Sequence, residues 1–164
     1  MSGSVQFHVP EVRLGKLLRE PGGKPVAQAM RDAGAGLEGL RAECLMVLTQ
    51  TLTQAEGVVG RSTGAFDGEL VGEFYKIISS AIGAPSACGL QSIDTMLISL
   101  SDLLDYLKVN QTWEGNAVAV HLRAFRLLLH TEGARDGAGG KAILEGLRQV
   151  SQRFARPTAA AKPV

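Results

Sequence analysis

The chain has 164 residues, of which 45% are hydrophobic and 20% charged, and its formal net charge is +1. That length and composition support one domain of ordinary size with a real core and exclude a disordered tail. The longest uninterrupted apolar runs are about five residues, such as 44–48, too short to span a bilayer.

No charged start leads into an apolar stretch, so no secretory signal is expected and the chain reads as cytoplasmic. Its two cysteines, Cys44 and Cys88, are too few for a disulfide scaffold or a zinc knuckle. The three histidines, His8, His121 and His130, lie far apart in sequence. Phosphate-loop and zinc-protease motifs are both missing from the sequence. The expectation is therefore a non-enzymatic domain with no metal and no cofactor.

Charge is unevenly placed. Residues 1–63 carry seven Lys/Arg against six Asp/Glu, residues 64–115 two against seven, and residues 116–164 eight against three. Acidic and basic helices packed side by side satisfy such a distribution. Aromatics are only 5% of the chain, which argues against a nucleic-acid surface.

In chain order, residues 1–23 read as an irregular leader with a possible short helix over 12–19, ended by Pro21, Gly22 and Gly23. Pro25 suits the first turn of a new helix. Val26, Met30, Ala33, Leu37, Leu40, Cys44, Val47, Thr51, Ala55 and Val58 then step by three or four. This heptad-like seam predicts about 50 Å of helix, weakened at Gly34, Gly36 and Gly39. Cys44 reads there as a small core residue. The seam is expected to pack within the domain, with a homodimer through residues 26–58 ranked second.

Asp67 is the expected N-cap of a helix carrying Leu70, Val71, Phe74, Ile77, Ile78, Ala81 and Ile82, broken by Gly83, Pro85 and Gly89. A leucine-rich helix follows over 93–107, closed by Asn110. Its Asp94, Asp102 and Asp105 lack a third ligand type and read as a solvated face. The next helix carries Trp113, Ala117, Val120, Ala124 and Leu127, and a last one Ala142, Ile143, Leu147, Val150 and Phe154. Residues 157–164 read as a disordered tail. The expectation is an all-α, up-and-down four-helix bundle over 24–156, with short extra helices at either end.

Ser79-Ser80-Ala81-Ile82-Gly83-Ala84-Pro85-Ser86-Ala87-Cys88-Gly89-Leu90, followed by the leucine-rich helix, resembles the active helix of histidine-containing phosphotransfer (HPt) domains. That family is a four-helix bundle whose histidine carries a phosphoryl group and whose open face docks receiver domains. Here Ser79 stands in the place of the phosphorylated histidine, Ile82 in that of a lysine, and Pro85 in that of a helix former. No histidine or carboxylate lies three or four residues from Ser79 to serve as a base. The resemblance thus implies docking without transfer.

Over nearly the whole chain, the 17–23 run, Val26-Ala27-Gln28-Ala29, the 37–45 run and Trp113 with the 117–121 run also look like small helical CheE-like proteins encoded with bacterial chemotaxis genes. That implies a pathway rather than a mechanism.

At 100° per residue Ser79, Gly72, Gly83, Lys76 and Ser80 fall on the face opposite the apolar sector. His121 falls near the centre of the apolar sector of its own helix, and His130 falls on the outer face beside Arg123 and Arg126. The functional expectation is a degenerate HPt-like module of two-component or chemotaxis signalling. It would bind a response-regulator receiver domain or a histidine kinase through Gly72, Lys76, Ser79, Ser80 and Gly83. The alternatives are phosphotransfer through His121 or His130, and a helical chaperone or assembly protein.

Overall fold

A computed structural model describes residues 22–154 other than Asp136, together with Gly15. The leader helix expected over 12–19 and the tail over 157–164 lie outside the described residues. Among the described residues all regular structure is helical: α1 Val26–Gly60, α2 Gly68–Ala81, α3 Ala84–Ala87, α4 Gln91–Asn110, α5 Gly115–His130, α6 Glu132–Arg135 and α7 Ala138–Gln152. The chain divides into two compact units between Gly36 and Leu37.

In the first unit the opening turns of α1 follow Pro25, whose carbonyl accepts from Gln28 N–H and Ala29 N–H at 2.8 and 2.9 Å. Lys24 Nζ pairs with Asp32 at 2.6 Å, and Gln28 Nε2 donates to the same carboxylate. These exposed contacts add little to stability.

The second unit holds the core. α4 sits at its centre and packs against α2, α3, α5, α6 and α7. The reason is in its sequence. Ile93, Leu97, Leu100, Leu104 and Leu107 form one apolar stripe, and Met96 and Leu103 extend it sideways. A helix apolar over more than one stripe must be covered on several sides. Leu48, Leu52, Ala55 and Val58 of α1, Phe74 and Ile78 of α2, and Val118, Phe125 and Leu128 of α5 join the same cluster. Leu147 of α7 joins it too, so five long helices contribute to the core rather than four.

The heptad-like seam of α1 is therefore used unevenly. Thr51, Ala55 and Val58 are buried, whereas Leu37, Leu40 and Val47 stay more than half exposed. Cys44 is half-buried, not enclosed in the core.

Helix ends follow local chemistry. Asp67 is extended, and its Oδ1 accepts from Glu69 N–H at 2.9 Å and Leu70 N–H at 3.2 Å, which satisfies two donors the helix itself leaves unpaired. Gly83 ends the turn after α2 with φ +92°, a conformation that favours glycine. α4 ends at Asn110, as expected, with Gln111 as its cap. Gln111 adopts the left-handed conformation at φ 51° and donates its N–H to Leu107 O, while Asn110 Nδ2 donates to Tyr106 O at 2.8 Å. Asp67→Ala should cost about 1 kcal/mol of stability, seen as a lower urea midpoint at unchanged slope.

Candidate functional site

The face around Ser79 is set by α2 and by the turn that follows it. Phe74 and Ile78 anchor the apolar side of α2 in the core with no exposed surface. The opposite side then carries Gly72 and Ser79, both half-buried, with Lys76, Ser80 and Gly83 exposed. An added Cβ at Gly72 or Gly83 would meet nothing within 4 Å, so the backbone is open to approach at both ends of this face.

Neither serine is poised as a nucleophile. Ser79 Oγ donates to Lys76 O at 3.3 Å and Ser80 Oγ to Ile77 O at 2.9 Å, each within its own helix. Among the described residues no general base hydrogen-bonds to either hydroxyl.

Lys76 and Ser80 border α1 on two separate grooves. Lys76 lies with Gln54, Gly57, Arg61, Glu73 and Ile77 along a groove of about 530 Å³, where Arg61 also pairs with Glu73 at 2.7 Å. Ser80 lies with Leu40, Glu43, Cys44, Val47 and Cys88 along a groove of about 300 Å³.

The turn after α2 is held from α4. Asp94, read from sequence as part of a solvated face, is instead buried: Oδ1 accepts from Gly83 N–H at 2.7 Å and Oδ2 from Ser86 Oγ at 2.6 Å. Charge-assisted bonds of this kind are stronger than neutral ones. The legible signal was position, since an acidic residue in the first turn of a helix sits where the helix dipole favours it. Asp102 and Asp105 are exposed. No group of three or more metal-ligating side chains occurs among the described residues.

His121 is fully buried on α5. Nδ1 lies 2.8 Å from Ala117 O, which can only accept, so Nδ1 carries the proton and donates. Burial lowers the pKa from 6.5, opposed by that backbone bond, and keeps the ring neutral. Nε2 therefore accepts from Ser99 Oγ–H at 3.1 Å. Ser99 in turn accepts from Ser151 Oγ–H at 2.9 Å.

This relay ties α7 to α4 and α5, and its two serines face a groove of about 470 Å³ whose lining includes Ile98, Leu144, Leu147, Lys141 and Arg148. At the rim, Glu145 is held down to about 2 by its hydrogen bonds to Arg148 and Gln149. With both ring nitrogens engaged and no exposed surface, His121 presents no site to a phosphoryl donor. His130 is exposed as the last residue of α5. The hydrogen bonds of His121 run to α4 and to its own helix, and Ser99 carries the relay on to α7; none reaches the Ser79 face.

No family model, no curated protein and no solved structure matches the chain.

Burial of neutral His121 makes stability pH-dependent. The unfolded chain binds a proton at this residue below pH 6.5 while the folded chain resists it, so this contribution is complete above pH 6.5 and is lost as pH falls below it. The urea midpoint should fall between pH 6.5 and 5, and His121→Gln should flatten that dependence while lowering stability at pH 8.

Proposed function

We propose that the chain is a non-catalytic binding module, an HPt-like up-and-down bundle that docks a receiver domain or histidine kinase of bacterial two-component or chemotaxis signalling through the face around Ser79. The observation that carries this reading is the open backbone at Gly72 and Gly83 on either side of Lys76 and Ser79. A partner loop can approach a helix closely where no Cβ intervenes, and Lys76 adds a cation suited to an acidic phosphoacceptor pocket. The self-satisfied hydroxyls of Ser79 and Ser80 favour contact over chemistry. Cytoplasmic signalling is in keeping with the finding that no helix among the described residues is long and apolar enough to cross a membrane.

Gly83 is a poor place to add bulk, because its φ of +92° would strain any side chain and its N–H holds Asp94. Gly72 lies inside a helix with space around it, so Gly72→Arg tests the face without strain and should raise intrinsic helicity. Combined with Lys76→Glu, it should weaken binding to a cognate receiver domain by about tenfold or more in calorimetric titration, with circular dichroism preserved. Unchanged affinity would remove the docking reading. An acid-labile phosphoryl label lost in His121→Ala or His130→Ala would establish phosphotransfer instead.

A second reading has its own observation. Leu37, Leu40 and Val47 are exposed at three- and seven-residue spacing, the pattern of a coiled-coil seam. The occupant that repeats this spacing is a second copy of the helix, giving a homodimer through the exposed part of the 26–58 seam and not through Thr51, Ala55 and Val58, which the core already covers. Sedimentation equilibrium should then return a dimer, and Leu40→Glu with Val47→Glu should return the monomer. A monomeric parent chain with the same mass as the variant would eliminate this interface, leaving capture of a client helix by a chaperone-like protein to be tested with the client itself.

A further inference from the structure

Cys44 and Cys88 are the only cysteines in the chain, and they stand 44 positions apart in sequence. The fold brings them together on one groove, Cys44 from α1 and Cys88 from the turn that ends α3. Both are half-buried and neither is in a disulfide.

Cys88 Sγ lies 3.8 Å from Leu40 O, and a carbonyl can only accept, so Cys88 donates there. Leu40 lies one helical turn before Cys44 on α1, so this bond sets the Cys88 thiol beside the turn that carries Cys44. Burial, and then the neighbouring Cys88, push the Cys44 thiol up to about 11.

The backbone on the Cys88 side is also fixed. Cys88 N–H donates to Pro85 O at 3.1 Å, Leu90 N–H to the same oxygen at 2.8 Å, and Asp94 grips Gly83 N–H and Ser86 Oγ at the start of the turn. Cys44 is carried in the interior of a 35-residue helix. Two thiols that line one groove from independently held backbones are pre-positioned partners.

We propose that Cys44 and Cys88 form a reversible intrachain disulfide when the protein meets hydrogen peroxide. Cys88, once deprotonated, attacks the peroxide, the O–O bond breaks, and Cys88 becomes a sulfenic acid with release of hydroxide. Cys44 then gives up its proton, its sulfur attacks the Cys88 sulfur, and the S–O bond breaks to release water. In sum, two thiols are oxidised by two electrons, and one hydrogen peroxide is reduced to two waters. The high pKa of Cys44 assigns the first step to Cys88 and the resolving step to Cys44.

The bond would tie the exposed apolar stretch of α1 around Leu40 and Val47 to the turn beside Ser80. The inference does not require any docking partner, so its chemical readout stands or falls separately from the function proposed above.

The test uses the full chain, diluted and treated with one equivalent of hydrogen peroxide. Thiol titration in denaturant should fall from two groups per chain to none, and proteolytic mass mapping should recover a peptide pair joined through Cys44 and Cys88. Non-reducing gels should show a monomer, and dithiothreitol should restore both thiols. In Cys44→Ser the reaction should stop at a Cys88 sulfenic acid that dimedone traps, whereas the parent chain should trap almost none. Persistence of both thiols, a sulfenic acid that accumulates in the parent chain, or linkage only between chains would each overturn the proposal.

Discussion

The burial of α4 is the constraint to which the rest of the second unit responds. Ile93, Met96, Leu97, Leu100, Leu104 and Leu107 have no exposed surface. Burying a side chain of this kind is worth about 1.5–3 kcal/mol relative to leaving it in water. A helix with that much apolar circumference is stable only when neighbours cover it from several directions. α2, α5 and α7 each present an apolar stripe that does so, and the buried end of α1 completes the cluster. The helices are amphipathic because they are a shell, and α4 is apolar on most sides because it is what they enclose.

Polar groups inside this shell are placed rather than tolerated. A buried group without a partner costs about 1–3 kcal/mol, so each one constrains its neighbours to supply bonds. His121 bonds to its own helix, to α4 through Ser99 and, through Ser99, to Ser151 of α7. Apolar packing alone would hold α7 on the core through Leu147 but would allow it to slide or turn. The serine–histidine relay admits one register. Asp94 acts in the same way in the first turn of α4, where its two oxygens hold the turn between α2 and α3.

These two polar anchors shape what the surface offers. Asp94 fixes Gly83 at one end of the Ser79 face and fixes the short turn that carries Cys88. The face and the cysteine pair therefore share one support. The relay at His121 removes from the surface a side chain that could otherwise carry a phosphoryl group.

Local sequence determined the helices and several of their ends. Asp67 caps because its carboxylate reaches the N–H groups two and three residues ahead, a contact that needs no tertiary partner. The three-four spacing of Leu70, Phe74 and Ile78, or of Ile93, Leu97 and Leu100, marks the inward stripe because helical geometry alone fixes which positions share a side. The phase of His121 likewise placed it inward.

What spacing could not state is which stripe meets which. Half of the α1 seam is exposed because the cluster around α4 ends before it, and nothing within α1 distinguishes Leu40 from Leu48. Asp94 read as solvated because its partners, Gly83 and Ser86, reach it across a turn. Ser99 and Ser151 are silent letters until α4 and α7 are set side by side. Cys44 and Cys88 became a pair only through the packing of α1 on the turn after α2. Periodicity along a single helix fixes sides, whereas contacts between residues far apart in the chain arise from the joint burial of several helices, and that is decided only when they pack.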